Sequence, residues 1–403
     1  MPRRGSAADI RRENLFDVLR GVHARSTASR SEIAAETGLS FATVTSIANE
    51  LLETGVLIEA AREHGRGRPR ARLALNPGRG RLVGVDVAET YVRADLYDLA
   101  LGALGTAEVA LDPAVNRVGD VVHMVGRAVD TVIGTGRSTV LGVGVSVPGQ
   151  VDPAGGTSVF APNWNWHDVP LGAALGTELG LPLVLDNPLK AITIAELWSG
   201  AGREAGDIVV VNLGTGVGIG IAIGGELHRG ATNSAGEWGH TTLAIDGPPC
   251  RCGGRGCVEA FVGAPAILGT WERMRAGAAV PWSGQAEGIA ALAAALAEGD
   301  PVAAAVIDET GRHLGAGLAN LVNVLNPELV VLAGWVGAAL GPPLLAAVRR
   351  EMKRQALSRP LDAAELRLRG SDGASVSLGA ATFALEACVA GLLEERRSEG
   401  AAR

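Results

Sequence analysis

Aromatic side chains make up only 3% of the 403 residues, and Ala and Gly dominate the apolar count. No run of eighteen apolar residues offers a membrane span. The first residues, MPRRGSAADIRREN, lack the apolar core of a signal peptide. Cysteine occurs four times, three of them in one short loop, which excludes a disulfide framework. A soluble, cytoplasmic protein without a membrane partner is expected. Lysine is missing from residues 1–80, so the basic character of that stretch is arginine alone. The length leaves room for two or three domains with real cores.

The crowded cysteines carry the clearest chemistry. His240, Cys250, Cys252 and Cys257 fall inside GEWGHTTLAIDGPPCRCGGRGCVEA (Gly236–Ala260), a stretch rich in Gly. One imidazole and three thiols are the ligand set of a closed, tetrahedral structural zinc site. Soft thiolates favour zinc over magnesium or calcium. A reduced surface loop that happens to hold thiols is the alternative, and Cys250 and Cys252 are too close in sequence to pair comfortably. Glu237 and Glu259 bracket the cluster, so a metal there would fix two carboxylates.

Charge divides the chain. Residues 1–80 hold 13 Arg against 9 Asp or Glu, while the remainder is acidic and brings the net charge to −7. A basic head on an acidic body suggests an anionic partner for the head. Ile10–Val22 has helical apolar spacing. Ser29-Arg-Ser-Glu32 reads as a capping box opening a second short helix, Gly38 ends it, and Ser40 caps a third, Phe41–Gly55. This is the pattern of a helix-turn-helix, whose second helix enters the DNA major groove. Val44, Ile47, Ala48, Leu51 and Leu52 would face the core. Ala42, Thr43, Thr45, Ser46 and Asn49 would face DNA. A helical hairpin for protein contacts is the other reading. Beyond it, GRGRPR (Gly65–Arg70) looks like the tip of a cationic wing. There Arg66, Gly67, Arg68 and Arg70 suit a narrow minor groove, although a flexible basic linker has the same composition. Residues 1–75 thus read as a winged helix-turn-helix domain, residues 76–80 as a linker and residues 81–403 as the body.

The body alternates β-branched strands, such as Arg81–Asp98 and TVLGVGVSVPG, with Ala/Leu helices at Val118–Val132 and Leu171–Leu179. It is an α/β arrangement. Ile208–Ile223 reads as two strands around the turn GTGVGIG (Gly214–Gly220), which either cradles phosphate or merely permits tight packing.

The metal-ligand segment, GTGVGIG, VSVPGQVD (Val145–Asp152) and LGAGLANLVNVLNPELVVLAG (Leu314–Gly334) together resemble the ROK family of sugar kinases and transcriptional repressors. The resemblance runs from about Leu82 to the C-terminal helix, and the basic head is similar to the repressor branch. It implies a two-lobed, actin-like or ribonuclease-H-like fold with sugar between the lobes, and a dimer or higher homo-oligomer. Where the family's kinases carry Asp-x-Gly-Gly-Thr-Lys, this chain has Asp86-Val-Ala-Glu-Thr-Tyr91. Where they carry the catalytic Asp of Asn-Asp-Ala-Asn, it has Pro188 within Asp186-Asn187-Pro188-Leu189-Lys190. Proline cannot take a proton from a sugar hydroxyl. No catalytic residue is therefore assigned. By the resemblance, Asn163, Glu237, His240 and Glu259 would bind sugar, with Asn187 in addition. Trp164 and Trp166 are open to either a sugar face or the core, and the two glutamates to either sugar or support of the metal loop. The expectation is a sugar-responsive regulator, a repressor that sugar releases from double-stranded operator DNA. A sugar kinase with a regulatory head is the alternative.

Overall fold

The computed structural model describes residues 7–63, 70–112, 117–162, 164–275, 282–370 and 374–401. The chain forms two compact units, Met1–Ser199 with Ser375–Arg403, and Gly200–Ala374.

The first unit begins with α1 (Ala7–Arg25), α2 (Arg30–Thr37) and α3 (Phe41–Glu53). The capping box is present at α2. Ser29 Oγ accepts the Glu32 N–H at 3.3 Å, and the Glu32 carboxylate accepts the Ser29 N–H at 2.7 Å. Gly38 leaves the helix at φ +70°, and Ser40 Oγ accepts the Thr43 N–H at 3.0 Å to start α3. Each such cap stabilises by about 1 kcal/mol. Val44, Ile47, Ala48 and Leu51 are buried together with Leu15, Val18, Leu19 and Val22 of α1. Leu52, expected in this core, is only half-buried at its edge. Strands β1 (Leu57–Glu63) and β2 (Arg70–Leu75) then pair antiparallel. The stretch expected at the tip, with Arg66, Gly67 and Arg68, lies outside the described residues, as does the Arg70 side chain.

The expected linker is a bonded joint. Asn76 accepts the Gly78 N–H at 3.1 Å and donates to Gly55 O at 3.0 Å, while Arg79 Nε donates to Thr54 O at 3.1 Å. Next come β3 (Arg81–Val87), β4 (Tyr91–Asp98), β5 (Ala103–Ala110), α4 (Val118–Ile133) and β6 (Val140–Ser146). A small three-stranded sheet, β7 (Gln150–Asp152), β8 (Thr157–Ala161) and β9 (Trp166–Val169), precedes α5 (Leu171–Leu179), β10 (Leu183–Asp186) and α6 (Pro188–Ser199). The main sheet has the order β10-β6-β3-β4-β5, with β10, β6 and β3 parallel and β3, β4 and β5 antiparallel. Val143 and Val145 share a core with Val125 of α4 and Leu175 of α5.

The sheet's other face receives the C-terminal helix (Ser375–Ala401) at backbone distance. A Cβ on Gly84 would lie 1.8 Å from Ser377 O, and one on Gly144 would lie 1.8 Å from Ala380 O. On the helix itself, a Cβ on Gly379 would lie 1.8 Å from Ala191 O of α6. Among the described residues, one helix, Ser375–Ser398, is long and apolar enough on average to cross a membrane, although Glu386 interrupts its apolar run. Its composition is that of a helix lying between strands and α6, and half of it is buried. Its far end reaches the head, where Arg396 pairs with Glu53 and Arg397 with Glu50 at 3.4 Å. Arg11 pairs with Glu50 as well.

The second unit contains β11 (Ile208–Leu213), β12 (Val217–Ile223), β13 (Glu226–Leu227), α7 (Glu259–Val262), α8 (Ala264–Met274), α9 (Gln285–Ala297) and α10 (Pro301–Leu325). It closes with β14 (Leu329–Ala333), α11 (Trp335–Gln355), α12 (Ser358–Ala363) and β15 (Glu365–Leu368). The sheet order is β13-β12-β11-β14-β15. Its core joins Val209, Val211 and Leu332 to Leu314 and Leu318 of α10 and Val348 of α11. The Gly-rich turn is shorter than expected: only residues 214–216 turn, and Val217–Gly220 continue as strand paired with β11.

The contact at Gly144 is with main chain, which cannot swing aside as a side chain would. Gly144→Ala is therefore expected to destabilise the protein by about 3 kcal/mol or more. Thermal unfolding of the purified variant checks this, and an unchanged Tm would mean that the helix does not rest on β6.

Candidate functional site

The metal-ligand candidates converge. His240 ends a short turn, Glu237–His240, that follows Gly236 at φ +106°. That turn lies directly on β12, since a Cβ on Gly239 would be 1.8 Å from Val217 O. His240 Nδ1 is 3.6 Å from Cys250 Sγ, and Cys252 Sγ is 3.8 Å from Cys257 Sγ. The four donor atoms all lie within 4.8 Å of one another. Bond lengths of about 2.3 Å to sulfur and about 2.0 Å to nitrogen give tetrahedral edges of about 3.8 and 3.5 Å. The cluster therefore fits one metal ion. Burial pushes the Cys250 and Cys257 thiols up, whereas the Gly254 backbone draws Cys252 down. A cation would be needed to hold all three as thiolates together.

Glu259, the first residue of α7, braces this loop against the Gly-rich turn. Its Oε2 accepts the Val217 N–H at 3.0 Å, and its Oε1 lies 3.8 Å from Cys250 Sγ and 3.6 Å from Arg251 Nε. Arg251 also donates to Thr215 O at 3.3 Å. These are the contacts of a loop support, one of the two roles open to Glu259 from sequence. Glu237 is half-buried, three residues before His240. Arg251 was missed in the sequence because an arginine between two cysteines carries no pattern of its own.

In the first unit, strand register sets a polar row across the sheet: Asp186, Ser146, Asp86, Arg93 and Glu108. Burial raises Asp86 from the usual carboxylate range to about 6, against the opposing hydrogen bond from Tyr91. The Tyr91 hydroxyl donates to Asp86 Oδ2 at 3.0 Å. Asp186 Oδ1 accepts the Asn187 N–H at 2.9 Å. Asn187 is buried and caps α6, accepting the Lys190 N–H at 3.0 Å and donating to Gly149 O at 3.3 Å. Pro188 is the first residue of α6, where a missing N–H is tolerated. Trp164 and Trp166 are both buried, with ring centroids 4.6 Å apart, so both belong to the core. Asn163 lies outside the described residues.

On the head, Ala42, Ser46 and Asn49 are exposed on α3, and Thr43 is half-buried with its hydroxyl 2.8 Å from Ser40 Oγ. Thr45 departs from its expected outward position. Its hydroxyl is buried without a partner, because the residue flanks the buried stripe one turn before Ala48. Arg30 of α2, missed in the sequence, donates to Asn49 Oδ1 at 3.0 Å and adds a cation beside the exposed face. A groove of about 330 Å³ lined by Ile10, Arg11, Asn14, Thr43, Ser46 and Ile47 runs between α1 and α3.

Comparison with known proteins bears on this arrangement. The ROK family model matches residues 82–387. A putative xylose repressor of Caldicellulosiruptor sp. (strain Rt8B.4) is 30% identical over 373 residues, 87% of this chain and 90% of the repressor. The crystal structure of a ROK family transcriptional regulator, a homologue of the E. coli MLC protein, superposes with a TM-score of 0.79 at 25% identity. That match covers 96% of this chain and 98% of the regulator. A ROK family glucokinase from Streptomyces griseus, solved with glucose and AMPPNP, gives a TM-score of 0.62 at 27% identity, covering 75% of this chain and 99% of the kinase.

The buried Asp86 has a testable pH signature. Its raised folded-state pKa means that protonation favours the fold. The stability from its protonated form is complete below about pH 4 and is lost as pH rises through about 6. At pH 7.5, Asp86→Asn should therefore stabilise the protein, by about 1–3 kcal/mol for a shift of roughly two pKa units. The gain should shrink below pH 6 and vanish near pH 4. Thermal unfolding from pH 4 to 7.5 measures it. Destabilisation at every pH would show that Tyr91 and the nearby Arg93 favour the charged form more than burial disfavours it.

Proposed function

The chain belongs to the ROK family and has its mixed α/β, actin-like fold, and on that premise we propose that it is a sugar-responsive DNA-binding repressor without kinase activity. The carrying observation is the head. Two capped helices around Gly38 and an antiparallel strand pair precede a ROK body. The similar repressor is matched over both parts, whereas the similar glucokinase is matched over 75% of this chain.

As a winged helix-turn-helix, the head offers Ala42, Thr43, Ser46 and Asn49 to the major groove, with Arg30 added beside Asn49. Arg66, Gly67, Arg68 and Arg70 are assigned to the minor groove and phosphates. A symmetric homodimer would present two such heads to a pseudo-palindromic operator. The sugar is assigned to Asn163, Asn187, Glu237, His240 and Glu259, whose amides, carboxylates and imidazole suit vicinal hydroxyls. His240, Cys250, Cys252 and Cys257 would hold a structural zinc ion, which supplies a fixed frame for the Glu237–Glu259 segment.

Phosphoryl transfer needs positioned phosphates and a base. Pro188 at the base position supports the non-catalytic reading. So does Asp86, which is buried and engaged by Tyr91. If the DNA-bound arrangement holds sugar less well, sugar must weaken operator binding by the same factor.

Fluorescence anisotropy on DNA from upstream of the protein's own gene, titrated with a panel of sugars at fixed salt, tests the proposal. Specific binding relieved by one sugar is expected. Binding indifferent to every sugar, or sugar-dependent ATP turnover in a parallel assay, would overturn it. Glu237→Ala should retain sugar-free DNA binding within about threefold while losing the sugar response, a coupling typically of about 5–150-fold. An intact response would remove Glu237 from the sugar site. Metal analysis should return one zinc per chain. Its chelation should lower Tm by roughly 5–10 °C, and equally in a Cys252→Ser control if the cluster is not its seat.

A further inference from the structure

We infer that α6 carries the sugar signal to the DNA-binding head through a joint made by His23, Trp198 and Ser199. This inference rests on the sugar-responsive reading and specifies its route. At one end of α6, Asn187 caps the helix and is tied to Gly149 O at 3.3 Å. At the other end, Ser199 Oγ lies 3.1 Å from His23 Nε2, and the Trp198 ring centroid lies 5.7 Å from that of His23. The twelve residues between these ends span about 18 Å at 1.5 Å per residue.

The helix has little means of absorbing a displacement. Every residue from Lys190 to Trp198 is buried, and Ala191 O meets Gly379 of the C-terminal helix at backbone distance. Close-packed interiors shift as units and do not deform smoothly. A movement at Asn187 is therefore delivered to Ser199. His23 sits in the last turn of α1, next to Val22 and one turn beyond Leu19, both in the head core with α3. Displacing His23 displaces the support of the DNA-reading helix. Two further ties of the head among the described residues, the hydrogen-bonded linker and the ionic contacts of Arg396 and Arg397, do not involve α6.

His23 and Ser199 are thus positioning residues, touching neither sugar nor DNA. The test measures operator affinity with and without the inducing sugar, and sugar affinity with and without operator, in the full-length protein. His23→Ala and Ser199→Ala should each keep sugar-free operator affinity and operator-free sugar affinity within about threefold. The coupling factor between the two should fall from its wild-type value, typically about 5–150-fold, to about two or less. The double variant should lose no more than the stronger single one, since both cut one joint. His23→Gln, which can still reach the Ser199 hydroxyl, should recover part of the coupling. Undiminished coupling in both alanine variants would overturn the inference while leaving the sensor reading intact. So would a loss of sugar-free operator affinity with coupling preserved, the mark of a static brace. Absence of coupling in the wild type would overturn the sensor reading itself.

Discussion

The closeness of the C-terminal helix to its neighbours governs the first unit. Gly84, Gly144 and Gly379 each stand where a single methyl group would strike a carbonyl oxygen. Because these positions are bare, two strands, the C-terminal helix and α6 meet main chain to main chain. Dispersion contacts are then dense, and no flexible side chain is available to absorb strain. The position of α6 relative to the sheet follows from this, as does the direction in which the C-terminal helix leaves the sheet for the head.

The second unit solves a different problem. Its loop from Gly236 to Ala260 is long and has little regular structure of its own. It is held at its base by glycines lying on β12 and at its end by Glu259 on the Val217 N–H, and between these it gathers His240 and three cysteines into one cluster. A loop held at both ends can keep polar side chains in place without a helix or strand behind each one. In the first unit, the aspartate at the end of β3 is buried beneath a tyrosine hydroxyl, and a proline opens α6.

Local chemistry was legible in the sequence wherever a side chain acts on its own neighbourhood. Ser29 and Glu32 announced the start of α2, Gly38 its end, and Leu171–Leu179 gave both bounds of α5. The four metal-ligand candidates were legible because they lie close together in the chain. Features set by distant partners were not. The glycines after Gly216 read as turn, whereas pairing with β11 makes them strand. Trp164 and Trp166 could not be sorted between ligand and core without the core itself. Thr45 read as outward because a 3.6-residue period does not reveal how far the buried face of a short helix spreads. The contact of Arg396 and Arg397 with α3 joins residues more than three hundred positions apart, and no local pattern marks it.

That last contact changes what counts as a module in this protein. Along the sequence, the head is a self-contained cassette that ends at a five-residue joint. In the fold, α3 is paired with arginines of the C-terminal helix. The head and the C-terminal helix are therefore joined by ion pairs as well as by the chain between them. A head grafted from a relative would arrive without its own grip, and an exchange that respects the fold has to carry both termini together.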